Sequence, residues 1–526
     1  MVDKRGIPVM IVAMVLGLST ATYAAWPFPT PASRPTPACN YYVSTTGSDS
    51  NPGSRVQPWR HIQHAITHIA NGQAACVGPG AYTGATDNNG QISITNSGAP
   101  GARKTLTTQN VSAPPKIRSL WISGSYWTVD HFDISNQSNA YGVQVSGSAT
   151  EVAITNNYIH ELCREGIYTN LGTSSLKIVG NRVWHAQMAG ISLSGNNSLL
   201  ELNEIWGTRE MPWLAGGIYA ACSDPQPNSC RNDADGVRFF GSGHRIRRNY
   251  IHDIPVNHAA GGPIEQQAPH SDCFQTWNNH GQPAGGDTLI EENWCRWPAR
   301  YLATPADALP WSKLGCSGGN HIAHVENATG TITWKNNVFA DTAHGIIVLS
   351  GNAEHHFLNN TFDHVQTEAI EIGPREVAGW QIENNIFFDT GDGKDGWLGW
   401  RNQSGITIGS NDFFLRSGTP RQGQWWGGGT APKCLEADPQ FMSTGTSTGA
   451  GADYRLRNSS PLALTGETIP AVKNDILGTP RIAGKYSYGA FQLVCSVGSS
   501  CGPANRAAAG PRDFVEQGYR SQRPRD

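Results

Sequence analysis

Two short segments place ionisable side chains in one repeating order: Asn232-Asp233-Ala234-Asp235-Gly236-Val237-Arg238 and His270-Ser271-Asp272-Cys273-Phe274-Gln275. Superimposed on their apolar residues, they set Asp235 on Asp272, Asp233 on His270 and Arg238 on Gln275. His321 extends the register if its segment forms the next repeat. Carboxylates held about one strand spacing apart, roughly 4.8 Å, repel each other. Either one takes up a proton and becomes an acid, or a cation such as Ca2+ sits between them. The first outcome suits hydrolysis of a glycosidic bond, with Asp235 and Asp272 dividing the acid and base roles, His270 tuning them, and Asp233 and His321 completing the candidate catalytic set. The second suits β-elimination from a uronic-acid polymer: Asp235 and Asp272 hold the metal, and His270 or Arg238 removes the proton. Arg238 and Gln275 are candidate substrate contacts in both.

Neighbouring strands must deliver that register, and the chain carries a repeat that supplies them. Asparagine recurs at 157, 181, 203, 249, 293, 337, 360 and 385, usually after another polar residue or glycine and before an apolar one, with steps of 24, 22, 46, 44, 44, 23 and 25. A period in the low twenties, with short alternating apolar segments, Gly/Asn turns and no helical pattern, marks a solenoid whose coils bury their apolar faces on one another. The expected fold is an all-β, single-stranded parallel β-helix, its asparagines stacked in turns where amides satisfy one another and the backbone.

A second column, of which Glu165-Gly166-Ile167, Ala189-Gly190-Ile191, Asp235-Gly236-Val237, Asp272-Cys273-Phe274, His344-Gly345-Ile346 and Glu368-Ala369-Ile370 are members, follows the asparagine by 7 or 8 residues in regular coils. It follows by 32 at Asp235, 23 at Asp272 and 28 at His321. Three consecutive coils are therefore expected to carry insertions at one corner, a placement that builds walls on a binding face. The alternative is that each long step hides a complete extra coil. The insertions hold Trp213, Arg300, Tyr301 and Trp311, which join the candidate substrate contacts because flat rings stack on sugars and cations answer carboxylated ones. The run His244-Arg245-Ile246-Arg247-Arg248 reads as a solvated strand face with one or two cations turned toward the cleft.

The rest of the chain sets the context. Residues 1–24 read as an export signal, with Lys4 and Arg5 before an apolar run that is too short to span a bilayer comfortably. Residues 25–38 form a Pro-rich linker, 39–495 the β-helix with its opening cap and closing coil, and 496–526 a polar tail expected to be disordered. Eleven cysteines fit an oxidising, secreted or periplasmic destination, with Cys222/Cys230 and Cys495/Cys501 as local staples and one thiol left over. A net charge of −3 argues against a nucleic-acid partner, and no later segment offers a membrane span. The expected form is a soluble monomer.

The segment Tyr41-Tyr42-Val43-Ser44-Thr45-Thr46-Gly47-Ser48-Asp49-Ser50-Asn51-Pro52-Gly53, with Pro58-Trp59 and Ile62-Gln63-His64-Ala65, resembles the opening cap of secreted bacterial right-handed β-helix proteins of the pectate-lyase-like superfamily. Asp438-Pro439-Gln440-Phe441, Tyr454-Arg455-Leu456, Ser460-Pro461 and Tyr488-Gly489-Ala490-Phe491 resemble their terminal coil. The resemblance implies a right-handed helix, and it spans a superfamily of lyases, hydrolases, epimerases and binding proteins. Around Asp235 and Asp272 the chain is similar to polygalacturonase-type hydrolases, which implies that these two match catalytic aspartates. The third aspartate of that family is Ser271 here, and His321 would stand in for its histidine. The reading is a secreted glycosidase needing no cofactor. The alternatives are a polysaccharide lyase that could use Ca2+, and a non-catalytic carbohydrate-binding or surface β-helix.

Overall fold

The computed structural model describes residues 38–136, 140–208, 234–254, 271–279, 281–296, 320–365, 367–373, 378–391, 398–399, 405–416, 433–444, 452–495 and 501–503. Within them the chain winds through three parallel sheets of 13, 11 and 11 strands. One coil shows the order: Ala153–Thr155 lies in the first sheet, Tyr158–Leu162 in the second and Ile167–Thr169 in the third, and Lys177–Val179 re-enters the first sheet one rung on. The fold is a right-handed parallel β-helix, as the repeat and the resemblance imply.

Each rung places the same kind of residue above its predecessor. Ile154, Ile178, Leu200, Ile246 and Ile290 pair in succession along the first sheet, all fully buried. Phe339, Phe362, Phe387 and Phe413 stack along the second, with ring centroids 4.8 to 5.1 Å apart. At roughly 1.5–3 kcal/mol for each large apolar side chain removed from water, this interior column is the main favourable term.

The corner between the first and second sheets carries the asparagine ladder. Asn157 Nδ2 donates to Asn181 Oδ1 at 3.0 Å, and equivalent bonds run through 203, 249, 293, 337, 360 and 385 to Asn411. Each of these amides also serves the backbone; Asn249, for example, takes a backbone N–H from Asn203 and donates to the Leu200 carbonyl. The residue just before the asparagine has positive φ, as at Asn156 (54°), Gly180 (69°) and Arg248 (53°), so the first member of each sequence pair makes the left-handed turn and the second fills the ladder.

This ladder settles the double-length steps. Asn203 bonds directly to Asn249, and Leu200 pairs with Ile246, so no coil intervenes. The extra residues lie between second-sheet and third-sheet strands, over 207–234, 253–270 and 297–319, where other coils use only 163–166, 187–188 or residue 343. Three consecutive insertions at one corner are what the column spacing predicts.

The other two outer faces are largely committed. On the first sheet Arg247 Nη2 and Arg248 Nε reach Glu292 at 2.9 and 2.6 Å, Arg245 pairs with Glu291, and Lys335 Nζ lies 3.1 Å from Glu291. His244 is buried and bonds to the Phe240 carbonyl. The basic run therefore faces its own glutamates on a different sheet from the site, which corrects the expectation that one or two of its cations turn toward the cleft. Phe441, Tyr454 and Leu456 pack with Tyr250, Trp294 and Phe388 on the second sheet, where Tyr454 Oη donates to Asp363 Oδ2 at 2.6 Å. At the N-terminal end the helix Ile62–His68 buries Ile62, Ala65 and Ile66 beside Trp59.

Candidate active site

The third sheet keeps an outward face that carries chemistry. Its strands Asp235–Phe239, Ser271–Thr276, Asn320–Val325 and His344–Val348 are consecutive rungs, and they are the strands that follow the insertions and the next regular coil. Val237 pairs with Phe274, Asp272 with His321 and His321 with His344, so Asp235, Asp272, His321 and His344 form one column.

The column faces outward because alternation breaks beside it. A Cβ added to Gly236 would lie 2.5 Å from Ile251 Cγ2 and 3.0 Å from the Cys273 carbonyl oxygen, so position 236 turns into the corner of the core and only glycine fits. Val237 is also interior, which leaves Asp235 on the opposite side with Arg238. In the next rung Cys273 takes the glycine position. It uses the space for a disulfide to Cys295, which pairs with Ile251 on the second sheet. That bond ties the strand bearing Asp272 to the opposite wall of the coil.

The polar contacts follow from this placement. Asp235 Oδ2 accepts from Arg238 Nε at 2.6 Å, and Asp235 Oδ1 accepts the backbone N–H of Asp272 at 3.0 Å. Asp272 Oδ1 meets His321 Nδ1 at 2.8 Å, and the rings of His321 and His344 are 4.8 Å apart. His344 Nδ1 meets Thr367 Oγ1 at 3.1 Å. Burial, and next His321, press His344 well below the usual histidine value against the opposing pull of Asp272. Both carboxylates are fully shielded from solvent. The expectation of two bare, mutually repelling carboxylates is thus modified: each has a partner of its own, Arg238 for one and His321 for the other.

Three residues on, a second outward row lies over the column. Arg238, Gln275 and His324 pair in order, and upstream the row continues through Trp121, Gln144, Tyr168 and Ser192. Between the strand Ser271–Thr276 and the next strand of the first sheet, residues 277–279 and 281–285 form a strap. Arg238 sits 5.3 Å over the Trp277 ring, and Gln282 accepts from Ser194 Oγ and donates to Tyr168 Oη, each at 3.1 Å.

Of the residues singled out in the sequence, Asp235, Asp272, His321, Arg238 and Gln275 come together here. Asp233, His270, Trp213, Arg300, Tyr301 and Trp311 lie outside the described residues, as do Cys222 and Cys230. The backbones of Cys495 and Cys501 pair across a two-stranded ribbon. Sequence reasoning missed His344, His324, Trp277 and the Cys273–Cys295 bond. His344 already stood in the aligned column, and both cysteines stood at inward positions of aligned motifs, so the register held the signal. A bond also joins Cys39 to Cys76, and among the described residues the free thiol is Cys434. No helix among the described residues is long and apolar enough to cross a membrane.

Residues 41–198 match the family described as Pel9A-like, right handed beta helix region. A Bacillus subtilis (strain 168) protein, the uncharacterized YwoF, is 29% identical over 140 residues, which is 22% of this chain and 28% of that protein. The chain therefore matches little more than a quarter of that relative's length. Among solved structures, XylC in complex with xylose aligns over 86% of this chain and 98% of its own, with a TM-score of 0.53 at 10% identity. Pectate lyase Pel9A aligns over 86% and 96%, with a TM-score of 0.44 at 14% identity.

Proposed function

We propose that the protein is a secreted or periplasmic carbohydrate-active enzyme that cleaves glycosidic bonds of a polysaccharide by hydrolysis at Asp235, Asp272 and His321. The observation that carries this is the adjacency, on successive rungs of one outward sheet face, of a carboxylate held by arginine and a carboxylate held by histidine. Asp235, fixed by Arg238 and a backbone N–H, is set up as an acceptor: the base toward water or the nucleophile toward the anomeric carbon. Asp272, positioned by its hydrogen bond with His321 Nδ1, gives its carboxyl proton to the leaving oxygen. With Asp235 as the nucleophile, a carboxylate separation of about 5 Å would give retention of configuration. The row of Arg238, Gln275 and His324 orients the sugar.

Elimination from a uronic-acid polymer is the second reading, supported by the imidazoles of His321 and His324 as bases and by Arg238 as partner for a carboxylate. A Ca2+ ion takes six to eight oxygen ligands. The donor set does not fit it, because the two carboxylates here meet a guanidinium and an imidazole. Incubation with a panel of polysaccharides, followed by mass analysis, tests the proposal. Hydrolytic fragments carry one water more than elimination fragments, and elimination also creates an ultraviolet-absorbing double bond. Unsaturated products would replace hydrolysis by elimination, and no product from any polysaccharide would leave a binding protein.

A further inference from the structure

The outward row of the third sheet extends well beyond the carboxylates, and its upstream half differs in kind from the site. From Trp121 through Gln144, Tyr168 and Ser192 it carries no charged side chain. Trp121 is 45% exposed, the largest side chain left so open among the described residues. Its Nε1 donates to Ser146 Oγ on the next rung at 2.5 Å, which tethers the exposed indole. Tyr168 is stacked on Tyr141 at 4.6 Å and held by Gln282 of the strap. Nearby Arg164 lies over Tyr141 and 3.7 Å from Glu165, so its charge is answered locally.

Trp121 precedes Arg238 by four rungs, roughly 19 Å at about 4.8 Å each. One rung is close to the advance of one sugar residue, so a chain lying along the row would set a sugar over the indole about four residues from the site. Isolated exposed aromatics are common on protein surfaces. This one is tethered by its own hydrogen bond and stands in register with the site residues. A polyuronate bound here would bring a carboxylate to nearly every rung; among the described residues the row itself offers no cation from Trp121 to Ser192, exposed Arg118 stands beside it three residues before Trp121, and Arg238 is already engaged by Asp235. A neutral sugar meets what is present: an apolar ring face for its C–H edge, with amide, phenol and hydroxyl groups for its own hydroxyls.

We infer that Trp121 is a remote sugar-stacking subsite and that the substrate is a neutral polysaccharide lying along this row. The inference rests on the proposed function and narrows it, since elimination requires a uronic acid. The test is affinity electrophoresis of the full chain at moderate salt in gels containing xylan, galactan or glucan, or else polygalacturonate or alginate, run for the parent, Trp121→Ala, Trp121→Phe and Asp272→Asn. The expected result is retardation by at least one neutral polymer and by neither polyanion. Trp121→Ala should then weaken the apparent affinity about tenfold, the size of one lost aromatic contact, with Trp121→Phe restoring most of it and Asp272→Asn binding as the parent does. Stronger retardation by polygalacturonate or alginate, no retardation by any neutral polymer, or Trp121→Ala binding like the parent would overturn the inference. Retardation that depends on Trp121 without any cleavage product would uphold the subsite and remove the proposed catalysis instead.

Discussion

His321 Nδ1 lies 2.8 Å from Asp272 Oδ1, one rung apart on the third sheet and with both side chains almost wholly shielded from solvent. The hydrogen bond positions the Asp272 carboxyl, and removing the imidazole releases it. His321→Ala and His321→Gln are expected to lower kcat by about two orders of magnitude, the usual worth of a positioned acid or base. The check is turnover on whichever polysaccharide the panel shows to be cleaved, alongside circular dichroism to confirm folding.

Asp235 is expected to matter to stability as well as to chemistry. Its carboxylate answers Arg238, whose side chain is only 8% exposed. Asp235→Asn keeps the shape but removes the negative charge that Arg238 Nε meets at 2.6 Å, and the amide still accepts one bond. The expected cost is at least about 1 kcal/mol by urea unfolding. Two unneutralised neighbouring carboxylates would have given the opposite sign, so unchanged or raised stability of Asp235→Asn would show that repulsion, not pairing, governs the column.

The Cys273–Cys295 bond closes a loop with a sequence separation of 22 and anchors the strand that carries Asp272. Loop-closure entropy for that length is worth about 3 kcal/mol. Cys273→Ser with Cys295→Ser is expected to lose stability of that order and to reduce kcat more than substrate affinity, because Asp272 is the neighbour of the severed sulfur. Gel retardation by the substrate and turnover, measured on the same preparation, separate the two effects.

His344 gives a pH dependence with a defined sign. Its folded-state pKa is depressed below the ordinary 6.5, so as pH falls through that value the unfolded chain takes up a proton that the folded chain refuses. The stability it contributes is complete above about pH 6.5 and is lost on acidification, at up to about 1.4 kcal/mol per pH unit. His344→Asn should flatten the fall in urea midpoint between pH 7.5 and 5 relative to the parent. An identical slope in both proteins would show that His344 does not resist protonation.

What could be read before folding was whatever recurs from coil to coil. The asparagine ladder, the Asp235–Asp272–His321 column and the corner of the insertions follow from register alone, since parallel rungs repeat the same environment every coil. Contacts that cross coils without repeating could not be read that way. Arg238 turning back three residues to Asp235, Gln282 reaching Tyr168 across 114 residues, and Tyr454 closing on Asp363 across 91 depend on how side chains fill space. The basic run at Arg245 to Arg248 was misplaced for the same reason: its neutralising glutamates stand 44 to 46 residues away in sequence and only one rung away in space.

Whether Asp235 and Asp272 perform the bond cleavage is tested by turnover of purified Asp235→Asn and Asp272→Asn on the polysaccharide the panel identifies, with products resolved by mass. Each amide variant, folded and still binding the polymer, is expected to lose about two orders of magnitude or more in kcat while the parent releases fragments carrying the added water. Full activity in both variants would contradict it and move the chemistry away from this column.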